Sequence, residues 1–255
     1  MRILLIGDII GRPGRQAVER FLPALDRQYE LDMIIANGEN AAGGFGLTSS
    51  IAQELFNNGV DVLTSGNHIW AQSEIIPHLD SEIPILRPLN YPPGVPGRGY
   101  LISRQVMVVN LMGRTFMREL DCPFQAMDRL LNGPGKKSPV IIVDFHAEAT
   151  SEKMAMGRYL DGRVSAVLGT HTHVGTIDAQ ILPQGTAYVT DIGMTGPTDS
   201  IIGDKIDSVL QRFLTGMPHR LSVGEGKPVL NAIMVETNEK DGKATKIERI
   251  CREMG

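Results

Sequence analysis

Arg2-Ile-Leu-Leu-Ile-Gly7-Asp8 is the stretch on which the reading of the fold turns. It is a short apolar run that stops at a glycine, as a buried strand of a parallel sheet does. The residue after the glycine is a carboxylate. The run is far too short to span a membrane, and Asp8 interrupts it, so it is neither a signal peptide nor a transmembrane helix. The same grammar recurs along the chain. Residues 33–36 read as a strand ahead of Asn37-Gly-Glu-Asn40, and residues 62–65 as a strand ahead of Gly66-Asn-His68. Residues 140–145 read as a strand ahead of His146, and residues 164–168 as one ahead of Gly169-Thr-His-Thr-His173.

Helical spacing fills the intervals. Residues 13–29 put Val18, Phe21, Leu22 and Leu25 on one side. Ser50 with Gln53 forms a capping-box pattern opening a helix that stops near Asn58-Gly59. Residues 123–131, 151–160 and 205–214 read as further helices. Residues 85–88 read as a fourth strand, and residues 99–103 and 105–111 as a hairpin. Residues 187–190 are one more strand, and 229–237 and 245–251 close the chain as two strands around a turn at 240–243. Strands alternating with helices make this an α/β fold. No repeat or long linker divides it. The Pro/Gly stretch at residues 91–99 is the best boundary and is short, so one domain over residues 1–255 is expected.

Composition narrows the function. A net charge of -4 over 255 residues leaves no basic field to hold a nucleic-acid duplex. The 28 glycines and 15 prolines exceed ordinary usage and point to many tight loops. The two cysteines, Cys122 and Cys251, are far apart, which argues against a disulfide framework and for a reduced cytoplasmic setting. Neither sits in a ligand cluster, and a structural role is expected for both.

The polar residues fall where strands end, which is where open α/β sheets gather their ligands. They are carboxylates, amides and imidazoles, donors for a hard or borderline metal ion. Of the six histidines, His68, His146, His171 and His173 lie at such ends, while His78 and His219 sit in ordinary loop or helix contexts. A single histidine would be read as packing or surface; five strand ends in series read as a site.

The ordered set resembles the calcineurin-like metallophosphoesterase superfamily. Its pattern runs D-x-H, G-D, G-N-H, a G-H or similar, and G-H-x-H. Here Gly7-Asp8, Gly38-Glu39-Asn40, Gly66-Asn67-His68, Phe145-His146 and Gly169-Thr170-His171-Thr172-His173 stand in that order, over residues 2 to about 193. Ile10 replaces the histidine of D-x-H, and Glu39 replaces the aspartate of G-D. With Gly7-Asp-Ile-Ile-Gly11 and the segment Gly38 to Gly46, the chain is similar to the bacterial YmdB-like branch of 2′,3′-cyclic-nucleotide 2′-phosphodiesterases.

The resemblance implies a four-layer α/β/β/α sandwich. It implies two divalent or trivalent metal ions, iron or manganese favoured and zinc compatible. Asp8, Glu39, Asn40 and His173 would hold one ion, and Glu39, Asn67, His146 and His171 the other. Glu39 would bridge, and the Asn40 oxygen would stand in for the missing histidine. The ions would sit about 3.5–4 Å apart. The two rings of H-x-H would serve different ions, as alternate residues of an extended segment point apart. The implied reaction is attack on a cyclic nucleotide by hydroxide held between the metals. His68 would be the general acid at the leaving oxygen. Many relatives place an acidic residue after G-N-H to orient that histidine; Ile69 stands there, so its partner cannot be named. The substrate would be a small phosphodiester, 2′,3′-cyclic nucleotides first, with 3′,5′-cyclic nucleotides and RNA ends in the same chemical class. Two rivals are a phosphomonoesterase or protein phosphatase of the same superfamily, and a regulatory metal- or nucleotide-binding protein with vestigial hydrolysis. Oligomeric state is not readable.

Weaker signals surround this core. Gly43-Gly-Phe-Gly46 reads equally as a substrate loop or a flexible connection. Phe45 and Trp70 are able to stack on a base, but burial is the expected state of both. Arg87, Arg98, Arg104, Arg114 and Arg118 could grip a phosphate, with solvated surface the commoner reading. Gly7, Gly11 and Gly14 have the spacing G-x-x-x-G-x-x-G, which is not a dinucleotide loop. Asp191 and Thr195 lie in a late loop with no role assigned.

Overall fold

The computed structural model describes residues 1–254. Its strands and helices follow in the order β1 (Arg2–Ile6), α1 (Gly11–Tyr29), β2 (Met33–Asn37), α2 (Ser49–Asn57) and β3 (Val62–Thr64). The hairpin β4 (Tyr100–Ser103) and β5 (Val106–Met112) comes next, then α3 (Pro123–Asn132), β6 (Val140–His146), α4 (Thr150–Leu160) and β7 (Ala166–Thr170). The chain ends with β8 (Gln180–Ile181), β9 (Ala187–Val189), β10 (Gly196–Asp204), α5 (Ile206–Thr215), β11 (Val223–Thr237) and β12 (Ala244–Glu253).

Two six-stranded sheets result, one ordered β10-β11-β1-β2-β3 with β12 also on β11, the other β4-β5-β6-β7-β9-β8. β1, β2 and β3 run parallel, as do β5, β6, β7 and β9; helices return the chain between all of these except β7 and β9, which a long loop and β8 connect. Side chains of β1 alternate between two cores: Leu4 and Ile6 face α1 and α2, while Ile3 and Leu5 face the other sheet. In the second sheet Val106, Val108, Val140 and Ile142 meet them, and Met107, Val109, Ile141 and Val143 turn outward to α3 and α4. Three apolar interfaces between four layers make the α/β/β/α sandwich. Among the described residues no helix is long and apolar enough to cross a membrane.

The element reading needs four corrections. Residues 85–88 form only isolated bridges, Leu63 with Ile85 and Leu86 with Arg98, because Pro84 and Pro88 lack the donors a strand needs. Helix α2 is capped by Thr48, whose Oγ1 accepts from Ile51 N at 3.3 Å, and Ser50 lies inside it. Neither the two-residue β8 nor β10 was anticipated: β10 is polar, and its pairing with β11 is broken by register shifts. β11 starts at Val223, six residues before the expected strand, in an exposed Gly-Glu-Gly-Lys segment without alternation. The sheets pack with the carboxyl ends of β1, β2, β3, β6 and β7 at one edge, and the polar residues meet there.

Candidate functional site

All eight candidate residues come together at that edge. Glu39 Oε1 lies 3.1 Å from His146 Nε2 and 3.3 Å from His68 Nδ1. His146 Nε2 is also 3.0 Å from Asn67 Oδ1 and 3.0 Å from His171 Nδ1. On the other side, Asp8 Oδ1 lies 3.7 Å from His173 Nε2, and Asn40 Nδ2 lies 3.3 Å from that same nitrogen. Ligand atoms of Glu39, His146 and His171 all fall within 4.8 Å of one another.

The outward nitrogens of the three imidazoles are spoken for, and this decides what the inward ones can do. The Thr170 hydroxyl donates to Asp144 at 2.6 Å, so toward His146 Nδ1, at 2.9 Å, it is left to accept. His171 Nε2 donates to Glu148 Oε2 at 3.0 Å, and His173 Nδ1 donates to the Ile202 carbonyl at 2.6 Å. Each ring therefore aims a lone pair into the cluster, beside two buried carboxylates. Asp8 Oδ1 and Glu39 Oε1 are buried and accept no hydrogen bond of good geometry. Converging lone pairs and unpartnered anionic oxygens repel unless positive charge sits among them. In the chain alone, protons supply it. Burial disfavours an imidazolium at His173, but the Asp8 carboxylate outweighs that and lifts its pKa to about 9. His146 is raised in the same way: Glu39 overcomes burial. His171 goes the other way, down to about 3, through burial and the neighbouring His146 charge. The donor set thus fits cations at both carboxylates.

Local sequence explains the placement. The glycine of Gly66-Asn-His is required because a Cβ there would run into the His146 ring. The segment after β7 is not extended, contrary to the expectation: His171 has φ 100° and His173 φ 65°. The two rings still part, His171 toward His146 and His173 toward Asp8, but a turn divides them. That turn is held by a buried ion pair. Lys153 Nζ from α4 lies 2.6 Å from Asp191 Oδ2, which accepts from Thr172 N at 3.1 Å and Thr172 Oγ1 at 2.8 Å. Asp191 thus acquires a position in the site's support; Thr195 bonds the Asn231 backbone of β11 through its side chain and Asp8 and Ile10 through its own backbone. Behind His146, Asp144 is fully buried, accepts from Thr64 and Thr170, and has its pKa pushed up to about 6 by burial.

His68 acquires the partner that Ile69 could not supply. Its Nδ1 lies 2.7 Å from Asn40 Oδ1, and the Phe45 ring lies against it with centroids 4.4 Å apart. Burial holds its pKa below the usual histidine value. A cleft of about 790 Å³ opens in front, lined by Glu39, Asn40, His68, His171 and His173 on its floor. Its walls are Gly43 to Phe45 on one side and Ile202, Arg212, His219 and Arg220 on the other. Phe45 is 53% exposed, against the expected burial. Trp70 is half-buried, edge-on to Tyr91. None of the five mid-chain arginines lines the cleft: Arg87 and Arg98 brace backbone carbonyls and Arg104 pairs with Asp61. Arg212 near the end of α5, and His219 and Arg220 after it, do line it; they stand beside exposed Phe213, Leu214 and Met217, with no motif to flag them. Cys122 precedes α3 and Cys251 is exposed on β12, both free thiols.

Comparison with known proteins agrees in length and fold. The profile of the family described as YmdB-like protein matches residues 4–250. The chain is 48% identical over 254 residues to the 2′,3′-cyclic-nucleotide 2′-phosphodiesterase of Bacillus subtilis (strain 168), covering 98% of this chain and 96% of that one. A protein of Thermus thermophilus, described as hypothetical, superposes with a TM-score of 0.94 at 47% identity over the whole of both chains. A phosphatase of Mycoplasma pneumoniae superposes with a TM-score of 0.94 at 32% identity, over 99% of this chain and 93% of that one.

Proposed function

The chain belongs to the YmdB-like family, and on that premise we propose that it is a metal-dependent phosphodiesterase acting on 2′,3′-cyclic nucleotides. The observation that carries the reading is the set of inward lone pairs of His146, His171 and His173 facing the unpartnered oxygens of Asp8 and Glu39. Asp8, Glu39, Asn40 and His173 would hold one cation, and Glu39, Asn67, His146 and His171 a second, with Glu39 common to both sets. Iron or manganese suits these oxygen and nitrogen donors, and zinc is compatible. Two such cations polarise phosphate oxygens and make water acidic enough to supply hydroxide near neutral pH. The chain's own residues do the rest. Thr170, Glu148 and the Ile202 carbonyl hold the three imidazoles in the ligating tautomer. His68 stands at the lip of the floor, oriented by Asn40, and gives its proton to the departing ribose oxygen. Residues 1–255 act as one domain, since both halves of the site come from different sheets. The same chemistry extends to 3′,5′-cyclic nucleotides and RNA ends, and the cytoplasm is the compartment proposed. Metal analysis together with turnover of 2′,3′-cyclic AMP against a phosphomonoester tests the reading. Two equivalents of metal and preference for the cyclic diester are expected; preference for the monoester would make the chain a phosphatase.

A further inference from the structure

Half of the Phe45 ring stands free in the cleft, yet the loop that carries it is tightly built. Gly46 N donates to the Glu39 carbonyl at 2.6 Å and Gly44 N to the Asn40 carbonyl at 3.1 Å. Ala42 N donates to the Gly46 carbonyl at 2.9 Å, and Gln72 Nε2 holds the Phe45 carbonyl at 2.8 Å. Gly44 and Gly46 flank the ring at φ 90° and 86°, and a Cβ on Gly46 would press on Gln72 and Ala71. The loop is therefore anchored to the same residues, Glu39 and Asn40, that build the floor. The ring is fixed against His68 and is still 53% exposed, so part of it is left to meet a ligand in the cleft. We propose that Phe45 is the stacking platform for the nucleobase of the substrate, a subsite that sets the preference for nucleotides over base-free cyclic phosphates.

Geometry supports this choice of occupant. The ring touches His68, the group placed at the leaving ribose oxygen. In a 2′,3′-cyclic nucleotide one sugar ring separates that oxygen from the base, so a base at that distance is within reach of the Phe45 ring beside His68. Phe45 is the one Phe, Tyr or Trp among the residues lining the cleft. The cleft, about 790 Å³, is in the range that receives a whole small ligand and not a phosphate group alone. Stacking is tolerant of base identity because every base has a π-face, so purine and pyrimidine nucleotides should both profit.

The inference rests on the phosphodiesterase reading, and the experiment separates the two. Phe45→Ala and Phe45→Tyr are compared with wild type on 2′,3′-cyclic AMP and on glycerol 1,2-cyclic phosphate, which has no base. For Phe45→Ala the loss in kcat/KM on the nucleotide should exceed the loss on the glycerol compound by about tenfold, mostly through KM, and Phe45→Tyr should recover it. Equal losses on both substrates, carried by kcat, would make Phe45 a mere support for His68 and overturn the proposal. In a second arm, Phe45→Trp puts an indole at the same place, over the background of Trp70. Adenosine 3′-phosphate should quench the added fluorescence, and glycerol phosphate should leave it unchanged. Absence of quenching by the nucleotide overturns the subsite. Quenching in a protein that hydrolyses neither cyclic phosphate would uphold the subsite and reject the activity.

Discussion

The two sheets make different contributions to the site. The first sheet, through β1, β2 and β3, delivers negative charge: Asp8 and Glu39 are buried with oxygens that nothing in the protein satisfies. The second sheet, through β6 and β7, delivers imidazoles, and buried polar support surrounds them in Asp144, Thr170, Lys153 and Asp191. Charge needs no fine orientation, because an electrostatic attraction falls off slowly with angle. A nitrogen lone pair does, because it points one way. The difference teaches that the protein uses its buried polar residues to fix direction, and leaves its carboxylate oxygens open to whatever cation arrives.

The largest expected effect breaks the first sheet's contribution. Glu39→Ala removes the carboxylate proposed to be shared by the two cations, so both metals should be lost and turnover should vanish. Full metal content in that variant, measured on purified protein, would take Glu39 out of the shared position. Next comes His68→Ala, on the boundary between the halves. Both metals should stay, and turnover of 2′,3′-cyclic AMP should fall by about 10²–10⁴-fold, much more than turnover of a nitrophenyl diester whose leaving group needs no proton. Equal losses on the two substrates would assign His68 to phosphate positioning.

Smaller effects test the second sheet's support. Lys153→Met strands the Asp191 carboxylate, and breaking such a buried pair costs about 3–5 kcal/mol. Adding Asp191→Asn should recover part of that stability, read as the denaturant midpoint at constant slope; a double variant as unstable as the single would deny the coupling. Thr170→Val takes the acceptor from His146 Nδ1 while keeping shape. Manganese affinity measured by titration should drop about 10–100-fold, the usual weight of such outer partners. The smallest effect is a matter of protons. With the His173 pKa at about 9 in the chain alone, a cation must displace that proton. Metal affinity should therefore rise with pH and level off above about 9, and uptake at neutral pH should release protons, seen as a dependence of titration heat on buffer. A flat profile from neutral pH up to the His173 pKa would mean that His173 holds no proton when the metal arrives.

How much of this could be read from the chain depended on which residues announced themselves. Buried parallel strands are nearly all apolar, so β1, β2, β3, β5 and β6 stood out, and the polar residue after each was conspicuous by contrast. That is why Asp8, Glu39, Asn40, Asn67, His68, His146, His171 and His173 could all be nominated and then found at one edge. The family resemblance supplied their grouping. The supporting layer was silent. Lys153 lies on a helix of low amphipathicity among other polar residues, and only its burial against Asp191 in the folded protein reveals it. Thr170 reads as part of Gly-Thr-His-Thr-His without a role. The cleft wall was silent too: β10 lacks alternation, and Arg212, His219 and Arg220 have no spacing that distinguishes them from solvated surface. Conversely the five mid-chain arginines drew notice by density alone, and the fold sends them elsewhere.

The left-handed backbone at His171 and His173 has a consequence for wear. Residues with side chains cost about 1–3 kcal/mol each in such sparsely populated conformations. Two of them, separated by one threonine, strain the segment after β7, which the Lys153–Asp191 pair holds from behind and which the cations proposed here would clamp in front. Chelation would remove the front clamp. The first bonds a protease meets in metal-stripped protein should therefore be those around Thr172, long before the four layers come apart, and limited digestion with and without chelator would date the order of failure.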